Sequence, residues 1–291
     1  MLRVLLLFIT CLSVQANQDE PLRLHFGVYP SDRATVMYRN FSPILEAITA
    51  PIENQLKREV DIHLTIFEDY ESGIKALAEG KVDFVRFGPS SYILAEELNP
   101  NIKLLAMELR NGKKTFNGVL VSRIDSKIDS LIDVMGKRVA FGDKNSTIGR
   151  YLSQSLLIDN GITANTLGSF SYLGRHDLVA KALITGTHDV GALKLSTYKK
   201  LCDQEEFAII ASFENVTKPW IARAELPKEI RNAITAALLV LTEPNELGEL
   251  GCSGLTQAKP KDYDSIRDSM KNAELFDPEE DSQKEEQQAS D

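Results

Sequence analysis

Lys137-Arg138-Val139-Ala140-Phe141-Gly142-Asp143-Lys144-Asn145-Ser146-Thr147-Ile148-Gly149-Arg150-Tyr151-Leu152 is the stretch that decides the fold. The apolar run ending at Phe141 reads as a buried strand. Beyond Thr147 the spacing turns helical, with Tyr151, Leu152, Leu156 and Leu157 on one face. A short polar turn bearing hydroxyls therefore sits where a strand ends and a helix begins. The first backbone N–H groups of a helix have no intrahelical partner, and the helix dipole is positive there. Such a turn suits an oxyanion such as phosphate, phosphonate or sulfate. Ser146 also serves as an ordinary helix cap, a role common to serine anywhere.

Working outward, the same strand, polar turn and helix recur. Strands are expected at Leu22–Tyr29, Val60–Phe67, Val82–Phe87, Ile102–Met107, Gly118–Ser122, Phe170–Leu173, Asp189–Leu193 and Phe207–Phe213. Helices are expected at Phe41–Leu56, Tyr70–Glu79, from Gly88 to Leu98, at Asp177–Ile184, at Ile230–Leu241 and at Tyr263–Met270. This rhythm predicts an α/β protein built on mainly parallel sheets flanked by helices. Ligands in such sheets sit beyond the carboxyl ends of the strands. Three strand ends, Tyr29–Ser31, Gly88–Ser91 and Lys144–Gly149, have the polar character to hold one.

The chain has 291 residues, enough for two domains, and 43% of them are hydrophobic, which supplies core material for both. A net charge of −9 argues against nucleic acid or an anionic membrane as partner. It does not argue against a small anion, because helix ends act locally. Arg3 followed by apolar Val4–Leu12 and Val14-Gln15-Ala16 reads as an export signal cleaved after Ala16. Cys11 offers a lipoprotein alternative, but Phe8-Ile9-Thr10 makes a poor lipidation motif. Cys202 and Cys252 leave a disulfide open without favouring one. No metal spacing occurs, and no metal or cofactor is expected. The acidic, Gln-rich segment from 277 to 291 is read as a disordered tail.

With these segments in hand, the chain resembles the substrate-binding proteins of phosphonate, phosphite and phosphate ABC transporters. The resemblance rests on Asp69-Tyr70 before Glu79-Gly80-Lys81-Val82-Asp83, on Phe87-Gly88-Pro89-Ser90-Ser91-Tyr92, and on Gly142 to Gly149. It continues through Gly174-Arg175-His176-Asp177 with Gly186 to Ala192, and through Lys218 to Arg223. It implies the type II periplasmic binding fold: residues 22–117 plus 212–276 as a discontinuous first domain, 118–211 as a second, and a ligand cleft between them. It implies a protein without catalytic activity that captures a small phosphorus oxyanion for a transporter permease, or, as the alternative, that feeds a sensor kinase. A monomer is expected.

By position, the resemblance assigns the oxyanion to Asn145, Ser146, Thr147 and the N–H groups through Gly149, with His176 donating to it. Tyr70 reaches it from the first domain, Phe87 lines the pocket, and Ser90 and Ser91 belong to the adjoining strand end; Tyr29, from the strand end Tyr29–Ser31, is a further candidate contact. Two departures stand out. Ile148 replaces a family hydroxyl, a loss on the order of 1 kcal/mol for one neutral hydrogen bond. Leu193-Lys194-Leu195-Ser196 lacks the carboxylate that meets an ammonium in members binding aminoalkylphosphonates, which favours phosphate, phosphite or a simple phosphonate. A Ser146, His176 and Asp189 triad is the remaining alternative, one that only geometry decides.

Overall fold

The computed structural model describes residues 20–277. The export signal with its Ala16 cleavage point, Cys11 and nearly all of the acidic tail lie outside the described residues.

Two sheets carry the chain. The first runs β11-β4-β10-β3-β1-β2 and the second β7-β6-β8-β5-β9. In the first, β1 (Leu22–Val28), β2 (Val60–Ile66), β3 (Phe84–Arg86) and β4 (Lys103–Glu108) point one way. β10 (Pro219–Ala222) and β11 (Leu255–Thr256) enter antiparallel to their neighbours. In the second, β6 (Arg138–Phe141) lies parallel between β7 (Ser169–Tyr172) and β8 (Val190–Lys194). β5 (Thr115–Arg123) pairs antiparallel with both β8 and the long β9 (Phe207–Val216).

The helices are α1 (Ala34–Leu56), α2 (Tyr70–Ala78), α3 (Pro89–Leu98), α4 (Ser153–Asp159), α5 (His176–Ile184), α6 (Leu195–Leu201), α7 (Lys228–Leu239), α8 (Pro244–Leu247) and α9 (Asp264–Ala273). α1 begins seven residues before the expected Phe41, running through both Pro43 and Pro51. Its Met37, Phe41, Ile44, Leu45, Ile48 and Ile52 are all buried. Each such side chain contributes roughly 1.5–3 kcal/mol, which together outweighs the hydrogen bonds the prolines forfeit. α6 is not among the elements expected from the sequence. Nor is β10, which buries Trp220 against Phe26 and Phe84 in the first core.

The chain passes between the sheets twice, from β4 to β5 and from β9 to β10. The two crossings run side by side, with Thr217 N–H donating to Lys114 O at 2.8 Å and Glu108 N–H to Lys218 O at 3.1 Å. The expected division points at 117 and 212 fall inside β5 and β9 of the second sheet. Phe276, expected in the first domain, sits instead in the second sheet's core against Phe141 and Phe170.

Arg86, whose role the sequence leaves open, is explained by packing. Its Nε and Nη2 donate to Glu108 Oε1 and Oε2 at 2.7 and 3.0 Å, both partners being buried. Cys202 and Cys252 are both free thiols, so no disulfide joins them.

Candidate ligand-binding site

The Gly142–Gly149 loop forms a cap, but not an ordinary one. Phe141 ends β6, and Thr147–Leu152 make a π-helical turn before α4 begins. Ser146 O accepts from both Arg150 and Tyr151 N–H, the widened pattern of a π turn. Ser146 Oγ accepts from Gly149 N–H at 3.0 Å. The loop folds back tightly: a Cβ on Gly149 would stand 2.7 Å from Gly142 Cα, so both positions require glycine. Gly149 thus supplies close approach, and its N–H is committed to Ser146.

A cleft runs between the carboxyl ends of the two sheets. It is lined by Tyr29, Tyr70, Gly88, Pro89, Phe116, Ser146, Thr147, Ile148, His176, Lys194, Asn215 and Lys218, with a cavity volume of about 20 Å³. Tyr29, Tyr70, Ser146, Thr147 and His176 therefore meet, as sequence position indicated. Asp69 helps place Tyr70, accepting from Ser72 N–H to cap α2. Tyr70 stacks on Tyr29 at 3.6 Å.

The other expected positions stand one layer back. Phe87 is fully buried, stacked behind Tyr29 at 4.9 Å, and lines nothing. Ser91 bonds the Tyr29 hydroxyl at 2.9 Å, fixing the ring. Ser90 ties the two lips together: its N–H donates to Thr147 Oγ1 at 3.0 Å and its hydroxyl to Asn145 O at 2.7 Å. Asn145 N–H donates to Asp143. Five of the ten expected positions thus shape the site without facing it, because the residues flanking a strand end alternate between the cleft and the core behind it.

Phe116, Asn215 and Lys218 also line the cleft without being among the expected contacts. They come from the crossing strands, which only folding brings to the mouth. The signal for Lys218 was a lone lysine abutting the apolar Pro219-Trp220-Ile221-Ala222. Lys194, which the sequence marked as a positive charge in place of a carboxylate, joins it.

The electrostatics of the cleft are unbalanced. Lys194 and Lys218 have no salt-bridge partner among the described residues, and Lys218 is buried. Burial, with Arg86 and Arg110 nearby, pushes the Lys194 ammonium down to about 8. Burial, with Arg86 and Lys194, holds Lys218 well below the ordinary lysine range. Glu108 is the carboxylate in this group, and it is occupied by Arg86, with Arg110 at 3.5 Å. Burial alone would raise its pKa, yet Arg86 and Arg110 bring it below the usual carboxylate range.

Two polar atoms at the cleft are also left without partners among the described residues: His176 Nδ1 and Asn215 Oδ1. Burial, reinforced by Lys194 and Lys218, keeps His176 neutral far below 6.5. Buried polar groups are normally satisfied, and the exceptions call for an explanation. A bound anion bridging ammonium, imidazole, amide and hydroxyl groups supplies one. A Ser–His–Asp triad does not: Asp189 is held by Arg138 at 2.7 and 3.0 Å, and His176 Nδ1 touches no carboxylate.

The model of the family described as periplasmic substrate-binding proteins of phosphonate ABC transporters matches residues 26–263. The phosphate-import protein PhnD of Mycolicibacterium smegmatis is 24% identical over 181 residues, covering 59% of this chain and 54% of that one. The match thus spans about half the length of that relative. PhnD1 of Prochlorococcus marinus, in complex with methylphosphonate, superposes with a TM-score of 0.73 at 20% identity, covering 86% of this chain and 97% of its own. A binding component of a phosphonate ABC transporter from Pseudomonas aeruginosa gives 0.74 at 18% identity, with 86% of each chain covered. The two-sheet architecture is the type II periplasmic binding fold, and the chain belongs to the periplasmic substrate-binding protein family of phosphonate ABC transporters.

Proposed function

We propose that this protein is exported and captures a small phosphorus oxyanion (phosphate, phosphite or a simple phosphonate) for delivery to a transporter permease. The observation that carries the reading is the pair Lys194 and Lys218, ammonium groups without a salt-bridge partner among the described residues, lining one cleft with Ser146, Thr147 and two orphaned polar atoms. An anion in that cleft relieves like-charge repulsion between the lysines and supplies the missing hydrogen bonds. The relatives that import phosphate or hold methylphosphonate agree with this ligand class.

Lys194 disfavours a ligand carrying an ammonium tail, so 2-aminoethylphosphonate binds more weakly than methylphosphonate. The side-by-side crossings, 108–115 and 216–219, act as the hinge on which the two lobes close. Ser90 and Thr147 serve as the latch, bonding across the mouth. Isothermal titration with phosphate, phosphite, methylphosphonate, 2-aminoethylphosphonate and sulfate tests the reading. Micromolar or tighter binding of at least one of the first three supports it, and binding of none of them overturns the ligand assignment.

A further inference from the structure

The oxyanion cleft is not a closed end. It shares Phe116, Lys194 and Lys218 with a second cavity of about 500 Å³ that extends along α6 and the start of α1. A single phosphate or methylphosphonate leaves that space empty. In a chain with net charge −9, the walls of this cavity have the opposite sign: basic side chains outnumber carboxylates seven to two.

Arg86 and Arg110 are partly neutralised by Glu108. The remaining five, Arg33, Lys194, Lys199, Lys200 and Lys218, have no salt-bridge partner among the described residues. Of the two carboxylates, Asp177 is engaged by Arg175 at 3.0 Å, and Asp32, which accepts from the Arg33 N–H at 2.8 Å, leaves a single negative charge against these five. Exposed lysines usually signify nothing. Here Arg33 before α1 and Lys199 and Lys200 on α6 line one cavity, and that cavity also contains Lys194 and Lys218 of the oxyanion cleft.

A concave surface with one sign of charge focuses its potential and selects the opposite charge. Resting on the oxyanion reading above, we propose that this cavity is a second anionic subsite. The preferred ligand would then be an organophosphorus compound whose phosphoryl group fills the small cleft. Its tail would carry a second anionic group, a carboxylate or another phosphate, into the larger cavity. Lys194 and Lys218, which line both spaces, would contact the ligand where the two meet. The uncharged walls at Val36, Met37 and Leu195 allow a short carbon chain to link the two charges.

The test is a titration series at fixed phosphonate: methylphosphonate as the short reference, propylphosphonate and 3-phosphonopropionate with three-carbon chains, and 3-aminopropylphosphonate with a cationic end. The proposal expects 3-phosphonopropionate to bind at least ten-fold more tightly than propylphosphonate, with 3-aminopropylphosphonate weakest. Raising the salt from 50 to 300 mM shrinks that preference. In the Lys199→Gln/Lys200→Gln protein the ratio between the carboxylate and the propyl ligand narrows to about three-fold or less.

Equal affinities for 3-phosphonopropionate and propylphosphonate, alongside tight methylphosphonate, overturn the second subsite and leave the oxyanion reading intact. An unchanged ratio in the double variant overturns it as well. Binding of no ligand in the series overturns the second subsite, and if phosphate and phosphite also fail to bind, the oxyanion reading falls with it. Circular dichroism of the double variant, at two exposed positions, confirms that it is folded.

Discussion

Lys218→Met separates the two consequences of a buried ammonium without a carboxylate partner. The lysine stem is buried and methionine nearly reproduces its length and volume, so packing is largely kept while the charge goes. In the empty protein that charge is unfavourable. Burial, Arg86 and Lys194 all oppose it, and Glu108 is shared with two arginines. Removing it should stabilise the ligand-free protein by about 1–2 kcal/mol, as replacing buried ionic groups by apolar ones often does. At about 2–4 °C per kcal/mol for a chain of this size class, the melting temperature rises by about 2–8 °C. Binding moves the other way. A charge-assisted hydrogen bond to the anion contributes about 1.5–3 kcal/mol, so methylphosphonate and phosphate weaken by about 10- to 150-fold. Differential scanning fluorimetry and isothermal titration on the same preparations read both quantities. A variant that melts lower and binds with unchanged affinity would refute the argument, because Lys218 would then be a structural group.

Three further perturbations probe the surroundings. Glu108→Gln leaves the buried Arg86 without its counter-charge, so urea denaturation should show a loss of about 3–5 kcal/mol, while the larger cationic excess tightens anion binding. Glu108's pKa is depressed in the fold, so its contribution is present above the ordinary carboxylate pKa and lost only as pH falls through the depressed value. Wild-type stability from this group is therefore flat from pH 5 to 8. His176 is buried neutral with its pKa far below 6.5, so its contribution is present above 6.5 and lost as pH falls below that value, where the unfolded chain takes up the proton. His176→Gln should flatten the stability decline between about pH 6.5 and 5, which urea midpoints at half-unit intervals would reveal. Ile148→Ser returns a hydroxyl to the cleft wall. It should tighten methylphosphonate by about five-fold, for one added hydrogen bond, while costing about 2–4 kcal/mol of stability through the lost burial.

Part of this site was legible in the sequence and part was not, for identifiable reasons. The strand, polar turn and helix at Phe141 to Leu152 could be read locally, because hydrophobic spacing and capping residues act over a few positions. Tyr29, Tyr70, Thr147 and His176 could be placed because each stands beside a strand end or a helix start. What could not be read depends on contacts between distant segments. Ser90 bonds Thr147 across 57 positions, a contact between distant segments that spacing does not reveal. Phe87 directly precedes a cleft glycine, Gly88, yet faces the core behind Tyr29. Lys218 and Asn215 lie on a crossing strand whose neighbour, Lys114, is about a hundred positions earlier in the chain. The π turn at Thr147–Leu152 is likewise invisible to a pattern that distinguishes only helix from strand. The expected helix began at Phe41, whereas α1 starts at Ala34 and carries its buried face back to Met37.

The central claim is that a phosphorus oxyanion sits between the Ser146–Thr147 turn and the two lysines. A crystal structure of the protein grown with methylphosphonate tests it most directly. The account predicts the phosphoryl oxygens within roughly 2.7–3.2 Å of the Thr147 and Ile148 backbone N–H groups, of His176 or Asn215, and of the Lys218 ammonium. A ligand found elsewhere, or one in this cleft that touches neither lysine, would contradict it.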